Sequence, residues 1–231
     1  MARSARIVIP GLPHHITQRG TRRLDTFFSD ADYSAYLALL TEACEKTGVA
    51  CWAYCLMPNH VHLILVPPEE DTLGAVLGVT HSRYTKRVNR RENWHGHLWQ
   101  ERFHSFAMDD AHLLTCARYI EQNPVKAGLT RRPENWRWSS ARAHLSGRDD
   151  ALCQTTPLLE RVADSLGMDW RDYLIQQTQT EILDQFHRHN QNGFPLGDRV
   201  FLDRLEKMIG RNLTLRRVGR PRAKIGTGTI F

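Results

Sequence analysis

Residues 49–66 contain two apolar runs separated by a turn signal, and this feature constrains the fold more than any other. The first run, VACWAYCL over 49–56, is rich in β-branched and aromatic residues, and the second, HVHLILV over 60–66, stops at two prolines. Met57-Pro58-Asn59 lies between the runs, and proline cannot join a central strand ladder. The segment therefore predicts an antiparallel β-hairpin.

The pattern on either side of this hairpin predicts a small layered domain. Apolar residues recur at helical spacing in some segments, and other segments are short and rich in strand-forming residues. We predict strands over 14–20 and 102–108 and helices over 29–47, 71–91 and 110–122, the last ending or fraying at Asn123-Pro124. The order β-α-β-β-α-β indicates an α+β fold of the ferredoxin-like or RRM-like type, with an antiparallel sheet, helices on one face and a final helix beside the sheet.

The chain changes character beyond about residue 150. Residues 156–186 are predicted to be helical, 187–198 to form a loop and 198–210 to form another helix, while the basic end is predicted to be disordered when free. We therefore divide the chain into a main domain over 1–150 and a helical extension with a basic tail over 151–231.

Composition narrows the class of protein. The 231 residues are 41% hydrophobic and 24% charged, which is ordinary for a soluble globular protein. No apolar run approaches the ~20 residues that cross a bilayer, and the N-terminus lacks the apolar core of a signal peptide. Five cysteines without a framework spacing favour a reduced, cytoplasmic compartment. A net charge of +6 favours a polyanionic partner.

The positive charge is gathered in three clusters. Any one of them could be an ordinary solvated face, and that alternative stays open for each. The clusters are Arg19, Arg22 and Arg23; Arg83, Lys86, Arg87, Arg90 and Arg91; and Arg211, Arg216, Arg217, Arg220, Arg222 and Lys224.

His60 and His62 are candidate metal ligands. Residues two apart on a strand point to the same face, about 6–7 Å apart at the backbone, so both imidazoles can converge on one cation. The alternative is a pair of polar residues at the start of a strand. A zinc site that adds Cys51 and Cys55 is rejected, because strand residues four apart lie ~13 Å apart.

Tyr119 and Asn123 are one helical turn apart and can face the sheet together. A tyrosine suits phosphodiester attack because its phenolate is a fair leaving group, although a lone helical tyrosine is more often a packing residue. Asn123 offers an oxygen ligand for Mg²⁺ or Mn²⁺. No strong general base is evident, and Glu121 points elsewhere on the helix. Other histidines (His14, His15, His81, His104 and His112) are expected to be structural or surface residues.

Two motifs carry a family resemblance. Residues 57–62 (MPNHVH) and 119–129 (YIEQNPVKAGL) resemble the single-tyrosine HUH transposases, and within them the bacterial REP-associated tyrosine transposases. HITQRG at 15–20, FSDADY at 28–33 and LWQERF at 98–103 are also similar, so the resemblance covers residues 5–145. It implies an enzyme that cleaves and rejoins single-stranded DNA at a REP-like hairpin through a 5′-phosphotyrosine.

The resemblance also implies the roles of individual residues. Tyr119 would be the nucleophile, and His60, His62 and Asn123 would bind Mg²⁺ or Mn²⁺. Larger dimeric relatives have glutamine where this chain has Asn123. The hairpin DNA contacts are assigned to the basic residues Arg19, Arg22, Arg23, Arg83, Lys86, Arg87, Arg90, Arg216, Arg217, Arg220 and Arg222.

Two alternatives to this function remain open from the sequence. One is a domesticated hairpin-binding protein that has lost catalysis, and the other is an RNA-processing metal phosphoesterase. We expect a monomer, with a dimer left open, no membrane and no small-molecule substrate, acting at the bacterial nucleoid.

Overall fold

The structure is a computed structural model that describes residues 6–213. The predicted tail, with its DNA contacts at Arg216, Arg217, Arg220 and Arg222, lies outside the described residues. Within residues 6–213, none of the helices combines the length and the hydropathy needed to span a bilayer.

Four antiparallel strands form the sheet that the sequence predicts. They are β1 (His14–Arg19), β2 (Ala50–Met57), β3 (His60–Val66) and β4 (His104–Ala107), in the spatial order β2-β3-β1-β4. β2 and β3 form the central hairpin, and β1 pairs with both β3 and β4. The α+β ferredoxin-like arrangement is therefore confirmed.

The two helices of the split motif cover one face of this sheet. They are α1 (Asp30–Thr47) and α2 (Thr72–Glu92). Tyr36 and Leu40 of α1 and Leu77 of α2 pack with Leu63 and Leu65 of β3 in one buried cluster. Alternation along β3 explains this arrangement, because every second residue of the strand turns toward these helices.

The opposite face of the sheet is also covered, by later helices, so the prediction that helices lie on one face with a final helix beside the sheet was wrong in this respect. These are α3 (Asp110–Lys126), α5 (Thr156–Leu166), α6 (Trp170–Leu174) and α7 (Thr180–Asn192), while α4 (Ala141–Ser146) packs against α6. Ile64 of β3 and Phe106 of β4 pack there with Ile120, Leu158 and Phe186. α8 (Arg199–Ile209) belongs to a third cluster, with Phe201 and Leu205 against Ile7, Ile9 and Ala107. The division of the chain at residue 150 stays a prediction.

The prediction for residues 156–198 was wrong in two respects. The stretch 156–186 is not continuous, because α5 ends at Gly167 in the left-handed region (φ 64°) and α6 begins after the Asp169 cap. Residues 187–192 are not a loop, since α7 continues to Gly193 (φ 71°). Phe186 of this helix is buried in the core, and Ile182 and Leu183 pack against the same cluster, although most of the other residues of the helix are polar.

α3 also extends further than the sequence indicates, through Pro124 to Lys126. Proline removes one backbone donor near the end of the helix, but the next turn still closes, because Ala127 N–H donates to the Asn123 carbonyl at 2.9 Å. The extension keeps Asn123 in regular helix, one turn beyond Tyr119.

Candidate active site

His60 and His62 stand together on the face of β3 that looks toward α3. Their ring centroids are 4.9 Å apart, whereas Val61 between them is buried on the opposite face. In the sheet, His60 lies opposite Arg19 of β1 and His62 lies opposite Thr17. The strand spacing thus brings the two imidazoles to one place, as the sequence predicts.

A chain of hydrogen bonds determines which nitrogen of His60 carries the proton. Asn59 Nδ2 donates to the Arg23 carbonyl at 3.0 Å, so the other atom of this amide is the acceptor oxygen. That oxygen lies 2.6 Å from His60 Nδ1, which must therefore be the donor. Burial, followed by the Arg19 charge, lowers the pKa of His60 to about 4. At neutral pH, His60 Nε2 thus holds a free lone pair.

His62 is buried, and its side chain is hydrogen-bonded to another histidine, His15. Its Nδ1 lies 3.0 Å from Nε2 of His15, and the two rings are nearly parallel, with 2° between their planes. Burial lowers the pKa of His62 well below its ordinary value, and the charges of His60 and His15 add to this effect. Burial also lowers the pKa of His15 to about 3. Both rings are neutral at physiological pH.

Tyr119 reaches the same place from α3. Its ring centroid is 5.6 Å from that of His62, with the two rings almost perpendicular, and 5.8 Å from that of Phe186. Burial raises the pKa of the Tyr119 hydroxyl, and the Asn123 side chain and the positive charge of Arg19 oppose that rise. Lys126 Nζ lies 5.3 Å from the centre of the tyrosine ring. A half-buried phenol is therefore flanked by two cations.

Asn123 lies one turn beyond Tyr119, but its side chain is turned back along the helix. Asn123 Nδ2 donates to the Tyr119 backbone carbonyl at 3.2 Å. Asn123 does not line the cavity that the histidines and Tyr119 share, as far as residues 6–213 define it. Its assignment as third metal ligand stays a prediction.

A cavity of about 420 Å³ joins His60, His62 and Tyr119. Its opposite wall is formed by α7. This helix is joined to the sheet by a hydrogen bond that Thr17 Oγ1 of β1 donates to Asn190 Oδ1 at 2.7 Å. The α7 residues on this wall are Phe186, His187, Asn190 and Gln191. The sequence prediction missed this contribution because residues 187–198 were predicted to be a loop. The signal available in the sequence was the aromatic residue Phe186, which directly precedes the polar stretch HRHNQNG.

Of the three basic clusters, the first lies at the site. Arg19 lines the cavity, and Arg22 and Arg23 are exposed just beyond it in left-handed backbone conformations, with φ of 57° and 64°. Gly20 holds this turn against the hairpin, since its N–H donates to the Asn59 carbonyl at 2.8 Å. A Cβ at Gly20 would lie 2.3 Å from the Leu24 carbonyl oxygen, so only glycine fits. The turn therefore ties these arginines to the histidine motif.

The second basic cluster lies elsewhere. It projects from α2, on the opposite side of the sheet from His60 and His62, into a groove of about 790 Å³ between α1 and α2. Arg83 is ion-paired with Glu42 at 2.7 Å. Lys86, Arg87 and Arg90 line the same groove. These side chains could contact only DNA that extends beyond the cavity.

Glu121 faces away from the cavity and lies in a buried hydrogen-bond network. It is fully buried, and its carboxylate accepts hydrogen bonds from Ser140 at 2.6 Å, His144 at 2.6 Å and Trp170 at 2.9 Å. This network ties α3 to α4 and α6. Glu121 is therefore not placed to take a proton from Tyr119.

The residues at the site fit a divalent metal in the chemistry of their donors. His60 presents a free Nε2 lone pair, and His62 Nε2 makes no hydrogen bond among the described residues. Imidazole nitrogens together with an amide oxygen and water suit Mn²⁺ or Mg²⁺. In residues 6–213, no group of three or more His, Cys, Asp or Glu side chains is arranged to hold a metal ion.

Comparison with known proteins agrees with this geometry. Residues 10–123 match the family model described as "Transposase IS200 like". A protein of Haemophilus influenzae, named as a candidate REP-associated tyrosine transposase, is 28% identical over an alignment of 136 positions that covers 54% of this chain and 75% of the relative. The solved structure of a REP-associated tyrosine transposase bound to a REP hairpin matches with a TM-score of 0.55 and 21% identity, over 65% of this chain and 90% of that chain.

The family model spans the histidine motif and ends at Asn123, so it includes Tyr119 and the first part of the second motif that carries the resemblance in the sequence. The similar solved structure has the same fold. Through residues 10–123, this chain matches the IS200-like transposase family.

Proposed function

We propose that this protein is a metal-dependent endonuclease and strand transferase that acts on single-stranded DNA through Tyr119. The observation that carries the proposal is the convergence of Tyr119 and His62, with ring centroids 5.6 Å apart, on the cavity that His60 also lines. The histidine pair and the tyrosine come from separate parts of the sequence, β3 and α3. Phosphodiester transesterification needs a nucleophile and a site for the phosphate within reach of each other.

The chain's own residues would act as follows. The Tyr119 hydroxyl oxygen forms a bond to the scissile phosphorus, and the bond from phosphorus to the 3′ oxygen breaks. The phenolic proton is released, and the departing 3′ oxygen takes up a proton, so no water is consumed. Arg19 and Lys126 stabilise the negative charge that develops on the phenol and the phosphate. The reverse reaction with another 3′-OH rejoins strands.

A divalent ion, Mg²⁺ or Mn²⁺, would be held by His60, His62 and Asn123. When bound, it would polarise the scissile phosphate and neutralise part of its charge. For Asn123 to take part, its amide must turn from the Tyr119 carbonyl toward the histidines. The assignment of Asn123 is supported by its place one helical turn from the nucleophile.

The substrate that we propose is single-stranded DNA beside a REP-like hairpin, bound by a monomer. The similar solved structure is named for its bound REP hairpin, and a polyanion suits the net charge of +6. Arg19, Arg22 and Arg23 would contact phosphates at the cleavage site. The groove lined by Lys86, Arg87 and Arg90 would contact the more distant phosphates of the stem.

The test is the formation of a covalent protein–DNA adduct. An oligonucleotide with a hairpin and a short flank, incubated with Mn²⁺, should give a band that survives SDS and migrates above the free protein. Tyr119→Phe should abolish the band. Tyr173→Phe is the matched control, because it removes a buried hydroxyl from a tyrosine that packs against the same helix.

Other outcomes identify the alternative functions. Salt-sensitive hairpin binding without metal-dependent cleavage would indicate a binding protein that has lost catalysis. Cleavage of RNA without an adduct would indicate an RNA-processing phosphoesterase. An adduct that persists in Tyr119→Phe would show that the nucleophile is assigned incorrectly.

A further inference from the structure

The contact between His15 and His62 has a chemical consequence for the metal site. His15 lies on β1 opposite Ile64, so it is a diagonal neighbour of His62 on the same face of the sheet. Its ring packs against Phe106, with centroids 5.2 Å apart, and it is 2% exposed. The only hydrogen bond that His15 makes through its side chain, among residues 6–213, is the one to His62.

Two neutral imidazoles share one proton in such a contact, and there are two ways to place it. If His15 donates from Nε2, then His62 accepts at Nδ1 and must carry its own proton at Nε2. A protonated Nε2 has no lone pair for a metal. If His62 donates from Nδ1, its Nε2 lone pair faces outward and is free. Only the second arrangement allows His62 to be a ligand.

We propose that His15 is a positioning residue that accepts a hydrogen bond from His62 Nδ1–H and thereby fixes the metal-binding tautomer of His62. This inference rests on the proposed function. Outer hydrogen bonds of this kind set the tautomer and the ring orientation of histidine ligands. Asn59 does the same for His60 through an amide oxygen, which can only accept.

His15 differs from Asn59 because an imidazole can also donate. When His15 Nε2 accepts, the His15 proton must sit on Nδ1, and this atom is buried without a hydrogen-bond partner among the described residues. Buried N–H groups without acceptors are rare and unfavourable. The metal-free protein should therefore favour the opposite arrangement, in which His15 donates, and metal binding should select the arrangement in which it accepts.

The first test measures Mn²⁺ binding by the full-length protein without DNA, using the EPR signal of free Mn²⁺. His15→Leu removes the acceptor and should weaken Mn²⁺ affinity about 10- to 100-fold. His15→Gln places an amide near the position of the imidazole Nε2 and should retain affinity close to that of the wild type. His14→Leu is the control, since it removes an equally buried histidine that bonds only to backbone atoms of Ile9 and Leu12. It should leave Mn²⁺ affinity unchanged.

The second test does not require a variant to fold. Nitrogen-15 NMR of the histidine rings in wild-type protein with Mg²⁺ should show His62 protonated at Nδ1 and His15 unprotonated at Nε2. The reverse pattern would overturn the inference, as would wild-type affinity in a folded His15→Leu variant. If the wild type binds no Mn²⁺ or Mg²⁺ at these histidines, the proposed metal site is itself wrong, and the role of His15 falls with it.

Discussion

Lowering the pH from 7.5 to 5.5 should strongly destabilise this protein, because several buried histidines, among them His14, His15 and His62, resist protonation. Burial lowers the pKa of His14 to about 4 and that of His15 to about 3, and it lowers the pKa of His62 well below the ordinary value. His14 shows the physical reason: its Nδ1 bonds to the Leu12 carbonyl and its Nε2 accepts from Ile9 N–H, so an added proton would displace a backbone hydrogen bond.

The direction and size of the effect follow from proton linkage. Each folded pKa is below the unfolded value of about 6.5, so the unfolded chain takes up protons first as the pH falls. The full stability is present above pH ~6.5 and is lost between there and the folded pKa values. At pH 5.5, each histidine costs about 1.4 kcal/mol, so the three together cost about 4 kcal/mol. A typical domain has only about 5–15 kcal/mol of folding free energy.

Urea denaturation followed by tryptophan fluorescence at the two pH values measures this loss. His14→Gln provides the control, since removing one titrating group should reduce the loss of unfolding free energy between pH 7.5 and 5.5 by about 1.4 kcal/mol, whatever the substitution does at neutral pH. An unfolding free energy that is the same at both pH values would refute the reasoning, because it would mean that these rings are protonated equally in both states.

Three further predictions concern the helix of the nucleophile and the DNA. Glu121→Ala leaves three buried donors without their acceptor, so the free energy of unfolding should fall by about 3–5 kcal/mol; an unchanged urea midpoint would contradict the network. Asn123→Asp should tighten Mg²⁺ binding in calorimetry, because a carboxylate is a stronger ligand for this ion than an amide. Equal affinity of variant and wild type would remove Asn123 from the ligand set. Replacing both Arg22 and Arg23 with glutamine should lower the salt slope of hairpin binding by about 1.4–1.8, at ~0.7–0.9 for each lost phosphate contact. Arg199→Gln on α8, which breaks only a surface ion pair, should leave that slope unchanged.

The parts of the fold that depend on short-range patterns were predictable from the sequence. The proline turn and the apolar runs around it fixed the β2-β3 hairpin, and the two-residue period placed His60 and His62 on one face. The helical period placed Asn123 one turn beyond Tyr119. These relations depend only on local geometry, so a single sequence contains them.

The parts that depend on long-range contacts were not predictable in this way. The bond between His15 and His62 requires the register of β1 against β3, which joins residues far apart in the chain. α7 closes the cavity because Phe186 is buried against the sheet, although the polar residues after it indicate a loop. The sequence assigned no role to Glu121, because its three hydrogen-bond partners belong to other parts of the fold. In each case tertiary packing, rather than local propensity, decides the outcome.

The most direct measurement of the central claim is the chemical identity of the residue that becomes joined to DNA. After reaction with a hairpin oligonucleotide and Mn²⁺, nuclease and trypsin digestion should leave a short nucleotide remnant on the peptide YIEQNPVK, residues 119–126, since trypsin cleaves after Arg118 and Lys126. Fragmentation should place the added mass on Tyr119 as a phosphodiester. A remnant on any other residue, or DNA cleavage with no modified peptide, would contradict the account.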